Sequence, residues 1–226
     1  MSKRIFLIIP LILIVVGSVH AQNDSIQEGY VKYTNSFKFK DGIYLNFQQV
    51  KFNQPIQKSQ IVTDIDYNSY DFYEKLFESK LISLYDNIGV KKEIKINEIW
   101  GFSEKGVLYI NLNEEFNRIP VFGSISHFIA NKTYTEYDPY TTNPYYSNSY
   151  YYDRNPHSTK IILMQYILDF ETGKLYDFNY KSVELLISKD DELYEEFVKL
   201  SKNKKKKLKF LYIRTYNKNH PVYFPK

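Results

Sequence analysis

The stretch Ile161-Ile162-Leu163-Met164-Gln165-Tyr166-Ile167-Leu168-Asp169-Phe170-Glu171-Thr172-Gly173-Lys174-Leu175-Tyr176-Asp177-Phe178 decides the fold. Its first ten residues are apolar at nearly every step, the pattern of a strand covered on both faces. Glu171 to Lys174 is a turn sequence, and Leu175 to Phe178 brings the chain back. The expectation is a buried strand pair.

From Asn179 onward the chain is helical by its periodicity. Asn179 is placed to cap a short helix holding Val183, Leu185 and Leu186, and Ser188-x-x-Asp191 supplies a cap for the next. From there Leu193, Phe197, Leu200, Leu208, Leu211 and Thr215 share one face at 100° per residue, which predicts a long helix to about Asn217, ended by Asn219-His220-Pro221. On that reading an aspartate at Leu211 unfolds the chain. Asp190, Asp191, Glu192, Glu195 and Glu196 precede the lysines, the order that suits a helix dipole. Lys204 interrupts the apolar face. Either its stem snorkels, or the helix protrudes, or it breaks near Asn203 and leaves Leu208–Tyr216 to form a strand. One helix is the preferred reading.

Before the deciding stretch, Asn46 can cap a helical turn carrying Phe47 and Val50, Gln60 to Ile65 reads as a short strand, and Ser69 to Lys80 as a helix with Phe72, Tyr73, Leu76 and Phe77 inward. Leu81 to Tyr85, Glu93 to Phe102, Val107 to Leu112, Phe116 to Phe122 and Ser124 to Lys132 alternate with turn signals at Asp86–Gly89, Glu104–Gly106 and Asn113–Glu115. Trp100, the one tryptophan, reads as a core residue. The fold class expected is α+β. A curled antiparallel sheet, a meander or partly closed barrel, carries one helix in the N-terminal half and a C-terminal helical pair that includes the long one.

Residues 1–21 read as a secretory signal peptide. Lys3 and Arg4 start it, Ile5 to Val16 is apolar, and Val19-His20-Ala21 precedes the cleavage point. The apolar run is shorter than the roughly 20 residues of a spanning helix, and no later run is long enough. Residues 22–36 are polar and read as a tail, and residues 37–226 as one domain. Taking Lys3 and Arg4 from 30 basic side chains leaves 28 against 26 acidic ones, +2. Such a balance offers no general attraction to nucleic acid. With no cysteine, disulfides, thiolate zinc sites and a cysteine-linked lipid are excluded. An exported, cysteine-free chain rich in Lys, Asn, Ile and Tyr suits the periplasm or outer surface of a diderm bacterium.

Eight tyrosines lie from Tyr134 to Tyr152 among Thr, Asn, Ser and Pro, so residues 134–154 read as an inserted surface loop. Phenol rings offer an apolar face and a hydroxyl at low entropic cost, which makes Tyr137, Tyr140, Tyr145, Tyr146, Tyr150, Tyr151 and Tyr152 candidate binding residues; a tolerated insertion without function is the plainer reading. Lys204, Lys205, Lys206 and Lys207 form the strongest local charge and are candidates for contact with an anionic surface, against a solvated helix face. His127, His157 and His220 are far apart in sequence and match no metal motif, so neither a metal nor a cofactor is expected. Ser126 and His127 are neighbours on a strand and face opposite ways, which argues against a nucleophile and its base. No nucleophile elbow or phosphate loop appears, and pairs such as Asp64 with Asp66 or Glu114 with Glu115 are common on any surface.

Asp41-Gly42-Ile43-Tyr44, Phe47, Asn53-Gln54-Pro55-Ile56, Ile99-Trp100-Gly101-Phe102 and Tyr216-Asn217-Lys218-Asn219-His220-Pro221 together resemble a group of exported Bacteroidota proteins of no established activity. The resemblance covers most of the mature chain. It implies a secreted envelope protein and carries over no catalytic residue. The function expected is therefore a non-catalytic module binding a glycan, a lipid headgroup or a protein partner. The alternative is an envelope hydrolase acting on a glycan or peptide through carboxylates.

Overall fold

The structure, a computed structural model, describes residues 29–86, 88–137 and 157–226. In order these form β1 (Tyr30–Lys32), β2 (Gly42–Tyr44), α1 (Phe47–Lys51), β3 (Ile61–Val62), α2 (Phe72–Glu78), β4 (Leu81–Tyr85), β5 (Lys91–Lys95), β6 (Gly101–Glu104), β7 (Val107–Leu112) and β8 (Glu115–Arg118). They continue with β9 (Ile125–Tyr137), β10 (His157–Asp169), β11 (Leu175–Asp177), α3 (Tyr180–Ile187), α4 (Asp191–Val198), α5 (Lys202–Asn219) and β12 (Tyr223–Pro225). Among the described residues the strands make four antiparallel sheets, β1–β12, β11–β10–β9, β2–β6–β7–β8 and β3–β4–β5, none closed on itself. The chain is α+β, but the partly closed barrel does not form.

The β6–β7–β8 meander follows from two tight turns. Lys105 and Gly106 at one, and Asn113 and Glu114 at the other, all have positive φ, the combination whose twist matches that of paired strands. Alternation then fills both faces of the sheet. Ile43 and Phe102 join Phe72 and Leu76 of α2 in one core, while Tyr44, Leu108 and Ile110 join Phe128, Leu168 and Phe170 in another. A third core lies under the helices, where Ile125 and Ile167 meet Val183, Phe197 and Ile213.

Several expectations are corrected. The polar tail is not free throughout: β1 pairs with β12, and the Tyr33 ring lies 4.6 Å from Phe122. The strand expected at Gln60–Ile65 shrinks to β3, and Glu93–Phe102 is broken by a 3₁₀ turn at Ile96–Glu98. The strand expected to end at Lys132 runs on to Tyr137, so the tyrosine segment begins inside β9. Trp100 is half-buried at the rim of its core, 5.7 Å from the Phe47 ring.

The single long helix is two. It breaks at residues 199–201, close to the Asn203 alternative, because Ser201 caps α5 through the Lys204 N–H; Leu208–Tyr216 is helical and not the strand that a break would have left. Asp190, not Ser188, caps α4 by accepting from Leu193 N–H. The break leaves the dipole argument half standing: Asp191 and Glu192 lie in the first turn of α4, as that order requires, but Lys202, Lys204 and Lys205 sit at the positive end of α5. It re-phases the apolar face too: Leu211 is 55% exposed, while Tyr212, Ile213 and Tyr216 are buried.

Candidate functional site

β9 and β10 pair without a bulge over thirteen positions, from His157 opposite Tyr137 to Asp169 opposite Ile125. At roughly 3.4 Å per residue the ribbon is about 44 Å long. Among the described residues, only its root is covered. Ile167 and Leu168 are buried, one under the helices and one against the central core. Beyond the root, Ile161 is 65% and Leu163 75% exposed, with Ile129 and Ile162 also exposed. The strand pair expected from the sequence, Ile161–Phe170 with Leu175–Phe178, forms only where β11 meets Tyr166–Leu168, and it is not buried throughout: Leu175 and Asp177 of β11 are exposed.

Register sorts the outer half into two faces. Ile129 and Gln165, Asn131 and Leu163, and Thr133 and Ile161 share one face, which carries no charged side chain; Lys132, Tyr134, Lys160 and Ile162 lie on the other. The β-branched and aromatic residues favour the extended backbone, and pairs such as Thr133 with Ile161 hold the ribbon across its strands.

The edge of β10 can be read from its root. Phe178 N–H donates to Gln165 carbonyl at 2.9 Å, and Asp169 N–H to Lys174 carbonyl at 3.0 Å, so the odd-numbered residues direct their backbone groups away from β9. β11 pairs only with Tyr166–Leu168. Among the described residues no strand pairs with this edge from His157 to Leu163, which leaves the N–H and C=O groups of Thr159, Ile161 and Leu163 outward.

The remaining candidates are scattered over the fold. Tyr137 lies on β9 opposite His157, whereas Tyr140, Tyr145, Tyr146, Tyr150, Tyr151 and Tyr152 lie outside the described residues. Of the lysine run, Lys205 is spent on Glu184 at 2.6 Å, and Lys204, Lys206 and Lys207 are exposed. His127 is buried on β9, bonded through Nε2 to Gln165 at 3.1 Å and flanked by Phe178 and Phe210. Burial pushes its imidazole below the ordinary range; the Gln165 bond opposes this and the Lys209 ammonium adds to it.

A second, polar feature escaped the sequence reading. A cleft of about 290 Å³ opens between the β10–β11 turn and the end of α5, lined among others by Lys51, Ser124, Asp169, Glu171, Tyr216 and His220. Its acids are engaged. Asp169 accepts from Glu171 N–H and the Thr172 hydroxyl, and the Lys189 ammonium is bound by Glu171 and lies 3.7 Å from Asp169. Close by, Asp190 accepts from Leu193 N–H, Asn219 and His220, each at 3.0 Å. Burial pushes the Asp190 carboxyl up, but these bonds outweigh it and hold the group below its ordinary value. His220 thus ends α5 by binding Asp190 and stacking on Tyr216, rather than by turning its ring to the last carbonyls.

Comparison with protein-family models, curated proteins and solved structures finds no match to this chain. Asp41, Gly42, Tyr44, Asn53 and Gly101 act as fasteners of the fold. Asp41 accepts from Gly106 N–H, the Tyr44 hydroxyl donates to Asn53, and a side chain on Gly42 or Gly101 would collide with the carbonyls of Ile56 or Tyr109. The outer ribbon was missed as a site because Ile161–Leu163 reads as buried by itself. The available signal was its partner segment, Asn131-Lys132-Thr133, whose polar residues place it outside a core.

Proposed function

We propose that this chain is an exported envelope protein of the periplasm or outer surface and a non-catalytic interaction module, which takes an extended segment of a protein partner onto the edge of β10. The observation that carries the reading is the outward backbone of Thr159, Ile161 and Leu163 beside the exposed side chains of Ile161 and Leu163. Alternating amide donors and acceptors are matched by another polypeptide backbone, and the apolar side chains between them supply pockets for its residues. Neither a sugar nor a lipid headgroup offers that repeat. A two-stranded ribbon is also marginally stable alone, which favours a third strand at its edge. Against the hydrolase alternative, Asp169, Glu171 and Asp190 are all occupied as acceptors, and His127 is packed between rings away from them.

The test is Leu163→p-benzoylphenylalanine in the native host, irradiated in whole cells. A protein adduct is expected that is lost when Ile161→Pro is added, because the proline removes an outward N–H and leaves the ladder to β9 intact. Adducts to lipid or glycan alone, or a protein adduct indifferent to the proline, would overturn the proposal.

A further inference from the structure

Remote from any of these residues in sequence, an open groove of about 820 Å³ is lined by Lys38, Lys40, Lys58 and Lys105, with Asp41 its one acid and Gln57 and Ser59 beside them. The arrangement is built into the backbone. Phe39 is buried, and Lys38 and Lys40 on either side of it are exposed. Phe39 N–H donates to Gly106 carbonyl at 3.2 Å, Gly106 N–H to Asp41 at 2.9 Å, and Lys40 N–H to Asn53 at 2.9 Å. Gly106, at φ 78°, lies so close to Lys38 that an added Cβ would come within 2.6 Å of the lysine's own Cβ. Lys105 and Lys38 are thereby held together across the turn.

The charges in this groove are unbalanced. Lys58 is fixed over the Phe72 and Tyr73 rings at 4.5 and 4.9 Å and donates to Tyr67 carbonyl. Among the described residues, Lys38, Lys40 and Lys105 have no ion pair, so four ammonium groups stand against the single carboxylate of Asp41, which accepts from the Gly106 amide. Holding like charges around one concavity costs free energy that an anion removes. The sole aromatic residue lining it, Phe39, is buried, so no exposed ring serves as a stacking platform for a nucleobase. Gln57 and Ser59 instead offer neutral hydrogen-bonding groups suited to hydroxyls. We infer that the groove of Lys38, Lys40, Lys58 and Lys105 binds a soluble anionic polysaccharide, a chain bearing sulfate, phosphate or carboxylate groups on hydroxyl-rich units.

Calorimetric titration of the exported chain with sulfated dextran oligosaccharides tests this, with neutral dextran and vesicles of anionic phospholipid as the other arms. Binding to the sulfated oligosaccharide and not to neutral dextran is expected, weakened about tenfold or more by Lys38→Glu/Lys40→Glu/Lys105→Glu. Lys204→Glu/Lys206→Glu/Lys207→Glu changes net charge equally at an exposed site and is expected to weaken binding less than about threefold. All six lysines are exposed, so both variants should melt with the parent. Equal losses in the two variants, undiminished binding by the first, or binding to vesicles without binding to the oligosaccharide would each overturn the inference.

Discussion

The side-chain amide of Asn217 reads the backbone of Ile125 in both directions: its Oδ1 accepts from Ile125 N–H at 2.8 Å, and its Nδ2 donates to Ile125 carbonyl at 2.9 Å. A single side chain on α5 thus stands in for a neighbouring strand at the root of β9. Gly123 leaves room for it, since a Cβ there would strike the same amide. Asn217→Ala strips two backbone groups of their partners beside a residue that is 1% exposed. A loss of about 2–6 kcal/mol is expected, at about 1–3 kcal/mol per orphaned group. Urea denaturation checks it, with Gly123→Ala expected to lower the midpoint in the same direction.

The re-phasing of α5 separates two neighbouring positions. Leu211→Asp is expected to shift stability by no more than about 0.5 kcal/mol, as for ordinary surface substitutions. Ile213, fully buried in the helical core, should lose about 2–5 kcal/mol as Ile213→Ala. A Leu211→Asp protein that unfolds would restore the continuous helix read from the sequence.

That contrast shows where the sequence was legible. Local signals held: Asn46 and Asn179 cap their helices as their positions imply, and the turns at Lys105-Gly106 and Asn113-Glu114 close hairpins. The α+β class rests on such signals. The break at residues 199–201 left a trace in Lys204, which interrupts the apolar face, but the cap at Ser201 was not read from it. Long-range facts did not show: the pairing of β1 with β12 joins segments at opposite ends of the chain and leaves no periodic trace. The ribbon lay between these cases, because strand type was readable from Ile161–Phe170 while burial depended on where the helices stop. The groove was least visible, since Lys38, Lys58 and Lys105 come from three separate turns or loops.

Lys205 and its neighbours in the lysine run are expected to behave differently. The Lys205 ammonium meets Glu184 at 2.6 Å with 13% of its side chain exposed, and lies 5.4 Å from the Phe197 ring. It ties α5 to α3 and α4. Removing it leaves Glu184 half-covered and unpaired, so Lys205→Ala is expected to cost about 1–3 kcal/mol, between exposed and fully buried pairs. Lys204→Ala, Lys206→Ala and Lys207→Ala should each stay within about 0.5 kcal/mol. Thermal melts of the four single variants separate the structural lysine from the solvated ones.

His127 predicts a pH dependence whose sign is fixed by its burial. Its folded pKa lies below the unfolded value of about 6.5 because the ring, 5% exposed, sits between Phe178 and Phe210. Above that value both states are neutral and the residue contributes no slope. As pH falls below about 6.5 the unfolded chain binds the proton first, so stability declines until pH has passed the lower, folded pKa. The limiting slope from one such group is about 1.4 kcal/mol per pH unit. Asp190, with a depressed pKa, adds its own loss only in the more acidic range where carboxylates protonate. Urea midpoints between pH 7.5 and 5 should therefore fall in the wild type and fall less in His127→Gln, whatever that substitution costs at neutral pH. Equal slopes in the two proteins would show that His127 accepts a proton as readily folded as unfolded, and with it that the contact between β9 and α5 admits water.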